Sequence, residues 1–178
     1  MKCIRSSFLS PVRLLALFTL AALLGGCATQ ATHEAMVPQT IATTNKHAGT
    51  VSIDVSGGSD AAGKIPNENF KKALAEAIDK SQTFSKVIEG SSGSYLLMVA
   101  MSNLQQPMFG ADFTVKLEAG WTLKRASGET VWQESILSEH TATMSDSLAG
   151  LTRLRLATEG AARNNIAAGL AKISQLKL

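Results

Sequence analysis

Apolar and polar positions along the chain fall into blocks with different periods. Thr50–Val55 alternates with period two, which predicts a first strand with Val51, Ile53 and Val55 inward. Phe70, Ala73, Leu74, Ala77, Ile78 and Ser81 share one stripe of a 3.6-residue period, with Lys71, Lys72, Glu76, Asp79 and Lys80 on the other faces. That is a sheet-packing helix, opened by Pro66-Asn67-Glu68-Asn69 with Asn67 or Asn69 as its cap and followed by a short extended piece at Val87-Ile88. Tyr95–Ala100 is continuously apolar and predicts a central strand covered on both faces. Asp112–Lys124 is the clearest pattern: Phe113, Val115, Leu117, Ala119, Trp121 and Leu123 point one way and polar residues the other, a half-buried antiparallel strand. Ala126-Ser127-Gly128-Glu129 makes the turn, and Thr130–Thr143 returns as its partner. There Val131 and Leu137 have the opposite parity to Trp132 and Ile136, which calls for a bulge or a change of layer. Ser145-Asp146 then caps a long helix whose stripe runs through Leu148, Leu151, Leu154, Ala162, Ile166, Leu170 and Ile173. Gly160 and Gly169 interrupt it at a cost of about 1 kcal/mol each, so either the sheet approaches closely there or Gly160 divides the helix.

The order β-α-(β)-β-β-β-α predicts an α+β domain, an antiparallel sheet of about four to five strands with two helices packed on one face. About 130 residues are enough for one such core.

Ahead of the domain, Lys2, Arg5 and Arg13 stand without an acid before the uncharged run Leu14–Leu24. A helix of that length rises roughly 16 Å, half a bilayer's hydrocarbon core, so it does not span comfortably. A basic head, a short apolar body and small residues at its end make a secretory signal. The segment ends Leu24-Gly25-Gly26-Cys27, which resembles the lipobox of bacterial lipoproteins, where Leu stands three residues before an obligatory Cys. The resemblance implies that Leu24, Gly25 and Gly26 are read by the signal peptidase and that Cys27 is lipidated. Residues 1–26 would then be removed, 27–48 would form a lipidated flexible tether, and 49–178 the single periplasmic domain. The tether is expected from its Thr, Ala and Gln content and from Pro38, with a reach of roughly 25 Å. Ala28 follows the Cys where an inner-membrane retention signal would carry Asp, which points to the outer membrane.

Charge changes meaning in this light. Seventeen Lys and Arg against 14 Asp and Glu give +3, which invites a nucleic-acid reading. Without the signal the bases number 14 and the balance is zero, and only 5% of residues are aromatic, so no nucleic-acid partner is expected. Cys3 leaves with the signal, so no cysteine nucleophile and no zinc site on thiolates is expected. His33 and His47 fall in the tether and His140 on the last strand, each without an evident ligand set. Glu134 and Glu139 lie on opposite faces of an ideal strand and cannot flank a bond. No catalytic residue, metal or cofactor is expected. Arg153, Arg155 and Arg163 read as a solvated helix face, or else as a contact for anionic headgroups or an acidic partner. Met108 and Phe109, in the link between two strands, read as core caps or as a partner contact.

Phe84-Ser85-Lys86-Val87-Ile88 after a helix, the strand Tyr95–Met101 and the turn Ser127-Gly128-Glu129-Thr130-Val131-Trp132 form a layout similar to small envelope lipoproteins, namely the lipopolysaccharide-assembly lipoprotein and auxiliary lipoproteins of lipid-transport ABC systems. The resemblance implies a non-catalytic accessory role in envelope assembly or transport with an envelope protein partner, and carries over no binding residues. The alternative is a periplasmic module for a small lipid or glycan, which would need a roomy apolar pocket between helices and sheet. An envelope hydrolase would need titratable residues converging in one cleft.

Overall fold

The structure is a computed structural model that describes residues 30–61 and 63–178. The signal segment, Leu24, Gly25, Gly26 and Cys27 lie outside the described residues. The elements are α1 (His33–Met36), β1 (His47–Ser56), α2 (Asn67–Ser81), β2 (Phe84–Val87), β3 (Tyr95–Gln105), β4 (Phe113–Arg125), β5 (Thr130–Ala142) and α3 (Gly150–Ile173). The class is α+β, as expected. One sheet has the order β2-β1-β3-β4-β5, and α2 and α3 pack on one of its faces with α1 between them.

The sheet is mixed rather than wholly antiparallel: β1 runs parallel to both β2 and β3, while β3–β4 and β4–β5 are antiparallel. The reason lies in the short β2. It pairs with β1 only as far as Val51, and β3 begins opposite that same residue. Residues 88–94 can therefore hop across β1 and start β3 in the same direction. Ile88 N donates to Val51 O at 2.9 Å and Gly93 N to Ser52 Oγ at 3.1 Å, which leaves Ser52 fully buried on the otherwise open face. A Cβ on Gly93 would stand 2.8 Å from Ser52 N, so the crossing needs glycine.

The core forms as the patterns dictate. Phe70, Ala73, Leu74, Ala77 and Ile78 of α2 are buried, as are the six inward residues of β4. Neither asparagine caps α2: Pro66 takes that position, Asn67 Oδ1 accepts from Gly58 N, and Asn69 Nδ2 donates to Ala31 O. The strand Tyr95–Ala100 is covered on one face only, with Leu96 and Met98 half-buried and Ala100 exposed. On β5 the register shifts beside Lys124 and Thr130, and beyond it Trp132, Ile136 and Ala142 face α3 in step with β4. No change of layer rescues Leu137, which stays 68% exposed on the bare face.

Helix α3 is unbroken through both glycines. A Cβ at Gly169 would lie 2.5 Å from Trp121 Cη2, and one at Gly160 would lie 2.0 Å from His140 Cδ2. The glycines therefore let α3 settle onto β4 and β5. Ser145 and Asp146 do not cap it; Asp146 instead accepts from Thr143 N at 2.7 Å, closing a turn, and the helix begins at Gly150.

The tether expected over 27–48 is corrected wherever it is described. Ala31, Met36 and Val37 are buried. Thr32 N donates to Glu159 Oε1 at 3.0 Å, Arg163 to Ala35 O at 2.8 Å, and Asn45 N to Ser174 O at 2.9 Å. His47 Nε2 meets Ile173 O at 3.0 Å. Isolated apolar residues and backbone hydrogen bonds thus strap the segment across both helices, and the domain begins by residue 30 rather than 49. Helix His33–Met36 is part of this strap.

Candidate docking surface

Parallel β1 and β3 end where β4 begins and β5 ends, and both long helices start at that same end. Three connections and the N-terminal strap converge there. Gln106 is the hub: it donates to Gly63 O and, at 3.0 Å, to Thr158 Oγ1, and accepts from Lys64 Nζ at 2.7 Å. Ala31 N donates to Lys64 O at 3.2 Å, and Gln30 Nε2 donates to Asp60 O.

Beyond this hydrogen-bonded base, large apolar side chains project into solvent. Met108 is 93% exposed, Phe109 87%, Leu148 82%, Leu151 74% and Met144 50%. Among the described residues, every exposed large apolar side chain except Leu137 belongs to this end. Met108 and Phe109 thus cap no core. Leu148 and Leu151 belong to the stripe expected to face the sheet, but Leu148 lies in the turn ahead of α3 and Leu151 in its first turn, and both stand in solvent.

These tips are held by fixed backbone. Arg153 is 6% exposed, stacks over Phe113 with its guanidinium carbon 5.2 Å from the ring centre, and donates to Ser147 O at 2.7 Å and Leu148 O at 2.9 Å. A buried guanidinium spent on two carbonyls locks the turn that displays Leu148. The hydrogen bonds from Thr143 hold the Asp146 carboxyl below the usual carboxylate range.

The three arginines considered for an anionic contact do not gather into one. Arg153 is buried in its clamp, Arg155 pairs with the buried Glu159 at 3.3 Å, and Arg163 donates to Ala35 O. Glu159 is the residue that the charge pattern concealed. It is 1% exposed, and its Oε1 accepts from Thr32 N, Thr32 Oγ1 and Arg155, which pins the strap to α3.

A groove of about 710 Å³ lies between the strap and α3, lined by Gln39, Lys80, Arg163 and Asn164 among others. Its walls are mostly polar, and it is not the apolar pocket that a lipid carrier needs. Glu134 faces Lys172 and Glu139 faces Lys116, so the two carboxylates do not meet. Among the described residues no three His, Cys, Asp or Glu side chains cluster as a metal site would require. Burial and Arg163 lower the pKa of His140 from its ordinary value, against an opposing pull from Asp146.

No protein-family model and no curated protein sequence matches the chain. Solved structures do share its fold. A Xanthomonas campestris protein of family DUF330 aligns with a TM-score of 0.59 at 10% identity, covering 76% of this chain and 89% of its own. A minor lipoprotein of Acinetobacter baumannii aligns at 0.52 and 8% identity, covering 70% and 91%. An uncharacterized lipoprotein B of Nitrosomonas europaea aligns at 0.50 and 10% identity, covering 85% and 88%. The likeness is one of fold, and that fold is found in bacterial lipoproteins.

Proposed function

We propose that this chain is a bacterial lipoprotein, anchored through Cys27 in the outer membrane and facing the periplasm. Its α+β domain acts there as a non-catalytic accessory in envelope assembly or transport. The observation that carries the reading is Leu24-Gly25-Gly26-Cys27 behind a basic head and a short apolar run, ending three residues before a strap already built into the domain. Acyl chains gain ~0.8 kcal/mol per buried methylene, so two or three of them hold a protein without help from charge. The sharing of the fold with solved lipoproteins supports the reading.

The accessory role is favoured over a small-lipid or glycan carrier by how the interior is filled. Trp121 occupies the space between β4 and α3, with its indole N–H donating to Asn165 Oδ1 at 2.9 Å. The open sheet face and the long unpaired edge of β5, with Leu137 exposed on it, offer surface to an envelope protein partner. Crosslinking in cells followed by pull-down of the lipidated protein tests this. Recovery of one defined envelope complex is expected. Recovery of the protein alone, with a glycan or lipid retained in it, would overturn the accessory reading.

A further inference from the structure

The exposed apolar tips and the strap's entry point share one end of the domain, and they explain each other. Gln30 is tied to Asp60 and Ala31 to Lys64, both in the connection beside Gln106. Cys27 precedes Gln30 by three residues, and three residues of extended chain span at most about 11 Å. A lipid on Cys27 therefore holds this end, and no other, against the bilayer.

We infer that Met108, Phe109, Leu148 and Leu151 form a membrane-contacting rim that enters the same leaflet as the lipid on Cys27. The inference rests on the lipoprotein reading for the anchor, and on the exposed side chains for the contact. Large apolar groups projecting from polar connections and from the first turn of a helix suit the headgroup boundary, where an apolar side chain leaves water while the backbone beneath it stays wet. Charge plays little part: the connection 106–112 carries only Asp112 and the turn 143–149 only Asp146. Contact is accordingly driven by apolar burial and does not depend on anionic lipid. The anchor supplies proximity, so even weak rim contacts are populated once the chain is tethered. The consequence is a fixed orientation, with sheet strands and both long helices standing up from the leaflet and the edge of β5 presented sideways.

The experiment uses the lipidated protein in phosphatidylethanolamine vesicles. An environment-sensitive fluorophore is placed on Met108→Cys or Leu148→Cys, with Ser127→Cys at the opposite end as reference; an acylated Cys27 leaves the introduced thiol unique. Blue-shifted emission and quenching by spin-labelled lipid are expected at 108 and 148, with 127 as accessible to aqueous iodide as a free dye. Phe109→Ser in the 148-labelled protein should cut lipid quenching at least twofold; both side chains project into solvent, so the fold is not at stake. Equal iodide access at 108 and 127 overturns the inference while leaving the anchor intact. So does a shift at 108 that grows with protein concentration without vesicles, which would mark a second copy as the occupant. A lipid-quenched 108 on a chain whose Cys27 carries no acyl group supports the rim and removes the anchor reading instead.

Discussion

Replacing Gly169 with alanine should destabilise the domain, although helix propensity alone predicts the reverse. In an unobstructed helix the change gains about 1 kcal/mol. Here the new Cβ would stand 2.5, 2.6 and 2.7 Å from Cη2, Cζ2 and Cε2 of Trp121. Carbon atoms prefer about 3.5–4.0 Å, so three contacts are short by roughly 1 Å at once. The indole has little freedom to yield, being fully buried and bonded through Nε1 to Asn165. Either α3 lifts from β4, at ~1–3 kcal/mol of overpacking strain, or the ring turns and the buried hydrogen bond is lost for ~1–3 kcal/mol. After the propensity gain the net loss is up to ~2 kcal/mol, and at roughly 3 °C per kcal/mol for a domain of this size the melting temperature falls by up to about 6 °C. Thermal unfolding by circular dichroism measures it, with two further variants. Trp121→Phe removes the clashing ring, so the double mutant should show at least ~1 kcal/mol of favourable coupling. Gly120→Ala has Ala100 O at 4.0 Å as its nearest neighbour and should be neutral or slightly stabilising. A Gly169→Ala protein that melts at or above the parent temperature would refute the close approach of α3 to the sheet.

Asn165→Leu removes the partner of the Trp121 indole and the donor to Ile136 O and Ser138 Oγ, and should cost ~1–3 kcal/mol in urea unfolding. Glu159→Ala should free the strap, so that limited proteolysis cuts within 30–46 well before the core, whereas Glu159→Gln keeps one acceptor for Thr32 and should be cut more slowly. Because the folded pKa of His140 lies below the ordinary value of 6.5, the unfolded chain binds the proton first; stability should be full above about pH 6.5, fall as the pH drops below it, and level off below the folded pKa. His140→Gln should flatten that slope in pH-dependent melting curves.

Where one face of an element is simply buried, the sequence announces it. The alternation of β4 and the stripe of α2 translate directly into buried residues. Gly160 and Gly169 likewise signalled their close approaches, because a mid-helix glycine needs a reason. The strap was illegible because Ala31, Met36 and Val37 follow no period, and the segment is held by bonds of Thr32 and Ala35 to residues more than a hundred positions away. The parallel pairing of β1 with β3 depends on β2 stopping at Val87, opposite Val51, a matter of strand length that no pattern encodes. Leu151 continues the helical stripe, whereas Leu148 falls in the turn ahead of Gly150, and periodicity cannot tell that the helix starts later and that both side chains stand in solvent. Arg153 reads from the sequence as part of a solvated helix face, yet it is buried over Phe113, and Glu159 is buried with a partner in the distant strap. The docking surface is thus visible only when loops distant in sequence are brought to one end of the sheet.

A lipid on Cys27 is what would hold this domain at the membrane. Intact-mass and N-terminal peptide mass spectrometry of the membrane-extracted protein tests it directly. The expected chain begins at Cys27 and carries acyl mass on that residue. A chain that retains Met1, or one that begins elsewhere with an unmodified Cys27, would contradict it.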